Sequence, residues 1–156
     1  MNKKKRLQDI FADTPRFMRE DEQRLFSILQ RDVPANTIQR LSAMAFKDLS
    51  IYYVCSDMDA ELYVKIAMPG LRIDILRIGF ANKKVGFGTA MIAEIEKIAA
   101  EKNIPTVGIK GICTFEMACL AKKLGYAPDP RACFEVSNDD GTKFVAGDWL
   151  KLIDRG

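Results

Sequence analysis

The stretch Ile78-Gly79-Phe80-Ala81-Asn82-Lys83-Lys84-Val85-Gly86-Phe87-Gly88-Thr89-Ala90-Met91 joins a β-rich segment to the most regular helical pattern in the chain. That helix is read from Met91, Ile92, Ile95, Ile98 and Ala99, with Glu94, Glu96, Lys97 and Glu101 facing away. A glycine-bearing loop that opens a helix is a way to build a backbone anion site. The first N–H groups of a helix lack intrahelical acceptors, and the macrodipole makes that end positive. Glycine at 86 and 88 lets a phosphate approach the main chain, and Lys83 and Lys84 add charge at the same rim. Gly-x-Gly also serves as plain turn chemistry. It is not a dinucleotide fingerprint here, because the third glycine position is Met91, and no P-loop motif exists.

Upstream, Asp48–Ser56 and Glu61–Met68 read as an antiparallel hairpin around Asp57-Met58-Asp59-Ala60. After the turn at Pro69-Gly70, Leu71–Phe80 reads as a third strand. Downstream, Asn103 stops the helix and Thr106–Ile112 is a short strand. Thr114 then caps a helix that ends at Leu124 with Gly125 beyond it. Ala132–Val136 and Lys143–Ile153 are two further strands around Asn138-Asp139-Asp140-Gly141. At the front, Thr14-Pro15 predicts a helix start, with Phe17, Met18, Leu25, Ile28 and Leu29 inward and Pro34 as the stop. A second helix is predicted over Asn36–Phe46. The sum is a mixed α/β (α+β) domain, a single unit over 1–156 whose first 13 residues form a basic, frayed segment.

Composition narrows the chemistry. The 156 residues include no histidine, which removes Ser-His-Asp and Cys-His nucleophiles and His-ligated metal sites. Cys55, Cys113, Cys119 and Cys133 form no C-x-x-C pair, so no metal is expected and reduced thiols are the plain reading. The net charge of +3 suits an anionic ligand. Lys3-Lys4-Lys5-Arg6 reads as a solvated end rather than a nucleic-acid arm. No signal-peptide pattern and no membrane-length apolar run is present, so a cytoplasmic protein is expected.

Lys83-x-x-Gly86-x-Gly88 resembles the acetyl-CoA loop of the GNAT superfamily of N-acetyltransferases, Arg/Gln-x-x-Gly-x-Gly/Ala, with lysine at the first position. Leu120-Ala121-Lys122-Lys123-Leu124-Gly125-Tyr126 resembles that family's Phe/Leu-Tyr-Glu-Lys-Leu-Gly-Phe segment, and Asp148-Trp149-Leu150-Lys151-Leu152 its closing strand. The resemblance covers residues 48–153; in 1–47 it implies two helices, and the family's first strand has no match there. It implies a GNAT-like, mostly antiparallel central sheet with a V-shaped splay between two central strands, flanked by helices. Acetyl-CoA would bind in the splay as cosubstrate. Ile78 and Phe80 would meet the pantetheine, and Lys83, Lys84, Val85, Gly86, Phe87, Gly88 and Thr89 the pyrophosphate.

The implied activity is transfer of acetyl from acetyl-CoA to a primary amine by direct attack in a ternary complex. The acceptor would be a small molecule or a protein, with no membrane or nucleic-acid partner and a homodimer as an option. Where the family carries Asn, Ala and Tyr, this chain has Thr114, Met117 and Ala121, so the phenol that would protonate the leaving thiolate is missing. Asp74 is the candidate base, acting through a water, with a carboxylate paired to Arg72 as the other reading. Cys113 and Cys119 fall near the expected cleft without a histidine to activate them. The competing reading is a GNAT-like module that binds acyl-CoA or a protein without transfer. A third, a nucleic-acid-associated protein using Lys3–Arg6, conflicts with the acidic helix starts.

Overall fold

β1 (Ile38–Leu41), β2 (Ser50–Cys55), β3 (Glu61–Ala67), β4 (Arg72–Gly79), β5 (Thr106–Ile112), β6 (Ala127–Ser137) and β7 (Lys143–Leu152) form one sheet, ordered β1-β2-β3-β4-β5-β7-β6. Among the described residues the helices are α1 (Arg19–Asp32), α2 (Phe87–Glu101) and α3 (Phe115–Lys123). These elements come from a computed structural model that describes residues 14–41, 47–57, 59–67, 71–83 and 85–154. β4 and β5 run parallel, joined by the crossover helix α2, and every other neighbouring pair is antiparallel. The result is the mixed, mostly antiparallel sheet expected.

Cross-strand partners carry the core. Tyr53 lies opposite Leu62, and Ile51 opposite Val64, which faces Ile75. Ile66 faces Ile73, Ile73 faces Val107, and Ile75 faces Ile109, which faces Trp149. These side chains share one face, and all are buried. They pack with Leu25, Ile28 and Leu29 of α1 and Met91, Ile92, Ile95, Ile98 and Ala99 of α2. The helical stripes read from the sequence are therefore the ones that cover the sheet.

Ion pairs add to the apolar packing of α1 on α2. Arg24 donates to Glu94 at 2.5 Å and to Glu101 at 2.6 Å, and those two hydrogen bonds raise its pKa further and hold it protonated. Lys102, just past α2, reaches the buried Asp21 at 2.7 Å.

Two expectations at the front of the chain are corrected. The first helix starts at Arg19, not at Thr14-Pro15. Phe17 is tied to the Asp48 carbonyl at 2.7 Å, and the Asp21 carboxylate accepts the Met18 N–H at 2.6 Å, so the cap lies later. Met18 is exposed rather than inward. The helix predicted over Asn36–Phe46 is instead a 3-10 turn at Ala35–Thr37 followed by β1, with residues 42–46 outside the described set. Ile38-Gln39-Arg40-Leu41 pairs with Cys55-Val54-Tyr53-Tyr52, and a sheet edge supplied this partner where local periodicity suggested a helix. The turn at Pro69-Gly70 and the basic segment 1–13 also lie outside the described residues.

Two irregularities shape the centre of the sheet. Opposite Tyr63 and Val64 of β3 stand Arg77 and Ile75, leaving Leu76 as an extra residue in β4. In β5, Lys110 and Gly111 together oppose the single Asp148 of β7. The Asp148 carboxylate takes the Gly111 N–H at 3.0 Å and the Lys110 ammonium at 3.1 Å, so the Gly111 N–H in the bulge is satisfied. Gly147, at φ +100°, has to be glycine, since a Cβ there would lie 2.2 Å from the Ala132 carbonyl oxygen.

Candidate functional site

β4 and β5 pair only from Arg72/Thr106 to Ile75/Ile109. β4 continues to Gly79 and β5 to Ile112 without pairing to each other. Both bulges fall immediately after the last paired residues, Ile75 and Ile109, and a bulge bends its strand. The two strands therefore part at one level of the sheet. The inner edges of 76–79 and 110–112 carry backbone groups with no partner strand, as an extended ligand requires.

The loop that follows β4 is aimed by buried contacts. Asp32, the last residue of α1, is buried and accepts from the Ala81 N–H at 2.7 Å, the Asn82 N–H at 2.8 Å and the Asn82 side-chain amide at 2.9 Å. The Asn82 amide also donates to the Asp32 carbonyl at 2.9 Å. Phe80 packs on Phe87 with ring centroids 5.7 Å apart. Gly88 sits against Leu120 of α3 and Phe80, where an added Cβ would lie 3.4 Å and 4.0 Å from them.

α2 begins after Gly86, which has φ +89°, a left-handed conformation that glycine adopts at little cost. No side chain caps this helix and its first turn holds no acidic residue. The other two helices are treated differently. α1 has Glu20, Asp21 and Glu22 in its first turn, and α3 has Thr114 accepting the Met117 N–H at 3.2 Å with Glu116 beside it. Among the described helices, the start of α2 is thus the one left for an external anion. Among the candidate contacts, Lys83, Val85, Gly86 and Thr89 are exposed, and Ile78, Phe80, Phe87 and Gly88 are half-buried around them. Lys84 lies outside the described residues.

The candidate catalytic residues are more scattered. Asp74 belongs to the paired part of β4, opposite Gly108, and its buried carboxylate takes a hydrogen bond from Arg72 at 2.5 Å. Thr114 uses its hydroxyl as the cap of α3. Ala121 is fully buried, while Cys113 and Cys119 are exposed free thiols. Tyr126 is buried, donates to Glu96 at 3.3 Å and carries the Lys151 ammonium 5.7 Å from its ring centre. Burial first, then the Glu96 carboxylate, pushes its phenol far above the usual range. A groove of about 440 Å³ lies between α1 and β2, lined by Gln23, Phe26, Ser27, Gln30 and Tyr53 together with Arg19 and Glu22. Tyr53 is opposite Leu62, which is opposite Ile78, so the groove lies level with the strand opening, two strands away.

Asp32 was not singled out by sequence reading. A signal existed: a carboxylate in the last turn of a helix opposes the macrodipole, which calls for a specific donor to hold it there.

No family model matches this chain, and no curated protein matches it. Solved structures do match it. The IAA acetyltransferase from Bacillus cereus ATCC 14579 is similar at a TM-score of 0.50 and 11% identity, over 74% of this chain and 97% of that one. The ribosomal-protein-S18-alanine N-acetyltransferase from Escherichia coli matches at 0.47 and 13%, over 91% and 94% of the two chains. The aminoglycoside 6'-acetyltransferase type Ii matches at 0.49 and 13%, over 90% and 96%. At such identities the likeness concerns architecture. The strand order, the parting of β4 from β5 and the Bacillus cereus superposition together establish that this chain has the GNAT N-acetyltransferase fold.

Proposed function

We propose that the protein is an acyl-CoA-dependent N-acyltransferase that moves an acetyl group from acetyl-CoA to a primary amine by direct attack in a ternary complex. The observation that carries this reading is the juxtaposition of two features. An unpaired strand edge at 76–79 leads into the helix start that, among the described helices, alone lacks a cap and an acidic first turn. An extended amide-bearing arm fits the first, and a pyrophosphate fits the second.

In this reading Ile78 and Phe80 offer backbone to the pantetheine. Lys83, Lys84, Val85, Gly86, Phe87, Gly88 and Thr89 receive the pyrophosphate. The thioester is already activated, so the protein's part is to orient the amine, exclude water and place an N–H near the developing oxyanion. The C–N bond forms as the C–S bond breaks, and the proton released by the amine reaches the CoA thiolate directly or through water, since Tyr126 is committed to Glu96 and Ala121 has no proton to give. Titration with acetyl-CoA by calorimetry, followed by thiol release and intact-mass screening of amine pools, tests the proposal. Saturable binding with CoA-thiol release that depends on an amine is expected, and absence of binding overturns it.

The closed environment of Ala121 favours a second reading, a module that holds acyl-CoA without transferring it. Tight binding with no release in the presence of any amine pool would select that reading.

A further inference from the structure

An ion pair stands beside the opening between β4 and β5, at the level where the strands part. Ile109 is the last residue of β5 paired with β4, and Lys110 follows it. Ile109 and Trp149 point into the core beneath the helices, so alternation turns Lys110 and Asp148 to the opposite face of the sheet. The bulge brings the two together, because Lys110 and Gly111 share Asp148 as their opposite residue. One Asp148 oxygen takes the Lys110 ammonium at 3.1 Å and the other takes the Gly111 N–H at 3.0 Å. The second contact draws the carboxylate over from β7 onto β5, the strand whose inner edge faces the opening. Both charged side chains are partly covered, at 22% and 21% exposure. A proton acceptor and a proton donor, in contact with each other and still in touch with water, therefore flank the foot of the opening. On the helix side the same level is closed by Ile75, Ile109 and Trp149, which are buried.

We propose that Asp148 and Lys110 are the proton relay of the acetyl transfer, a role that rests on the transferase reading above. With the pyrophosphate at 83–89, an arm laid along the edge from 79 to 76 brings its thioester end to the foot of the opening, where the pair stands. The alternatives are engaged elsewhere. Tyr126 is bonded to Glu96 on the helix side, Thr114 caps α3, and Asp74 is held by Arg72 within the paired part of the strands. The step balances within the pair. A neutral amine attacks the thioester carbonyl, the C–N bond forms and the C–S bond breaks. The amine nitrogen passes its proton through a water to the Asp148 carboxylate, and the Lys110 ammonium gives a proton to the departing sulfur. The pair is then a carboxylic acid beside a free amine, and a proton crossing their 3.1 Å contact restores both charges. One proton has left nitrogen and one has arrived on sulfur, with no other reactant consumed.

Calorimetry should give Lys110→Met, Lys110→Arg and Asp148→Asn the acetyl-CoA affinity of the wild type. Thiol release from acetyl-CoA to n-butylamine, glycinamide and poly-lysine should fall in each variant by roughly 10²-fold in kcat, with KM for acetyl-CoA unchanged. Lys110→Arg separates a relay from a strut. A guanidinium keeps the charge and the ion pair but does not release its proton, so a strut would survive the change and a relay would not. Asp148→Asn likewise keeps an oxygen for the Gly111 N–H while removing the proton acceptor. A second readout needs no turnover. In isotope-labelled protein, the Lys110 ammonium resonance, identified by its loss in Lys110→Arg, should shift on saturation with CoA. It should stay in place with a phosphoadenosine diphosphate that lacks the pantetheine arm. Wild-type kcat in Lys110→Arg overturns the relay, as does a Lys110 resonance that CoA moves no further than the truncated nucleotide does. A wild type that binds no acetyl-CoA overturns the transferase reading itself, and one that binds it but releases thiol to none of the three amines overturns both.

Discussion

Asp32 and Asn82, fifty positions apart in the chain, are bound to each other by three hydrogen bonds: the Asn82 N–H to the Asp32 carboxylate at 2.8 Å, and the Asn82 amide to that carboxylate and to the Asp32 carbonyl, each at 2.9 Å. The salt bridges of Arg24 and Lys102 fix α1 on α2, and the end of α1 in turn fixes the segment that leads into the anion loop. Positioning by an element distant in sequence lets a glycine-rich loop be open at its tip and rigid at its root.

Asp32→Ala strands the Ala81 and Asn82 N–H groups. An unsatisfied N–H costs roughly 1–3 kcal/mol when water cannot replace the partner, and the exposure of Asn82 favours the lower end. Urea denaturation should record a loss of that order, and calorimetry an acetyl-CoA affinity at least tenfold weaker. Unchanged affinity in the folded variant would remove Asp32 from the support of the site.

The loop glycines should fail differently. Gly86→Ala places a Cβ at φ +89° with nothing within 4 Å, so its cost is backbone strain of about 1–2 kcal/mol rather than a clash. Gly88→Val meets the flexible Leu120 side chain at 3.4 Å and the Phe80 ring at 4.0 Å, and its methyl groups would push the main chain at the start of α2 out of the position proposed to receive the phosphate. Calorimetry should show binding abolished in Gly88→Val with the fold kept. Full affinity in that variant would move the pyrophosphate elsewhere.

Asp74→Asn separates a base from a strut. Because Arg72 holds this carboxylate in the paired part of the sheet, kcat should stay within a few-fold of wild type while the melting temperature falls. A general base contributes roughly 10²–10⁴-fold, so a kcat loss in that range with KM unchanged would restore Asp74 to the chemistry.

Tyr126 makes a statement about alkaline pH. Its phenol is raised above its ordinary value of 10.0 in the folded protein, so the unfolded chain releases the proton first. Stability is then fully present below about pH 10 and falls as pH rises beyond it, by roughly 1.4 kcal/mol per unit while only the unfolded chain ionises. Tyr53, raised by burial and Glu22 against the pull of Arg40, adds to that fall. Denaturation at pH 8 and 11 should show a smaller alkaline loss in Tyr126→Phe than in wild type, and the rate profile of Tyr126→Phe should keep its alkaline shape. An alkaline limb abolished in Tyr126→Phe would identify the phenol as the acid.

Ala121→Tyr tests the closed position. With no exposed surface at Ala121, a phenol there overpacks the core at a cost of about 1–3 kcal/mol, and no gain in turnover is expected. Faster transfer in a stably folded Ala121→Tyr would show that the side chain finds the cleft.

How much of this was legible in the sequence depends on the range of the forces involved. The stripe Met91-Ile92-Ile95-Ile98-Ala99, the Thr114 cap, the left-handed Asn103 and the Gly125 stop are local devices, and each stands where it was read. The hairpin of β2 and β3 follows from alternation and a turn, as does that of β6 and β7, although β6 starts earlier than predicted, at Ala127. Ile38–Leu41 was misread because four residues give no decisive period, and their strand state comes from β2. The parting of β4 and β5 was implied only by the family resemblance. Its cause, an extra residue in each strand, appears only once the registers are known. Asp32 was invisible for the same reason: its donors are supplied by the third dimension.

The extra residues at Leu76 and at Lys110–Gly111 amount to a pair of dislocations written into the covalent chain. The mismatch sits between β4 and β3 on one side and between β5 and β7 on the other, so no rearrangement of the loops can anneal the gap between β4 and β5. The wedge follows from the residue count of the strands themselves. Deleting Leu76 would bring β4 back into step with β3 and leave the mismatch of β5 with β7 as the remaining source of the wedge.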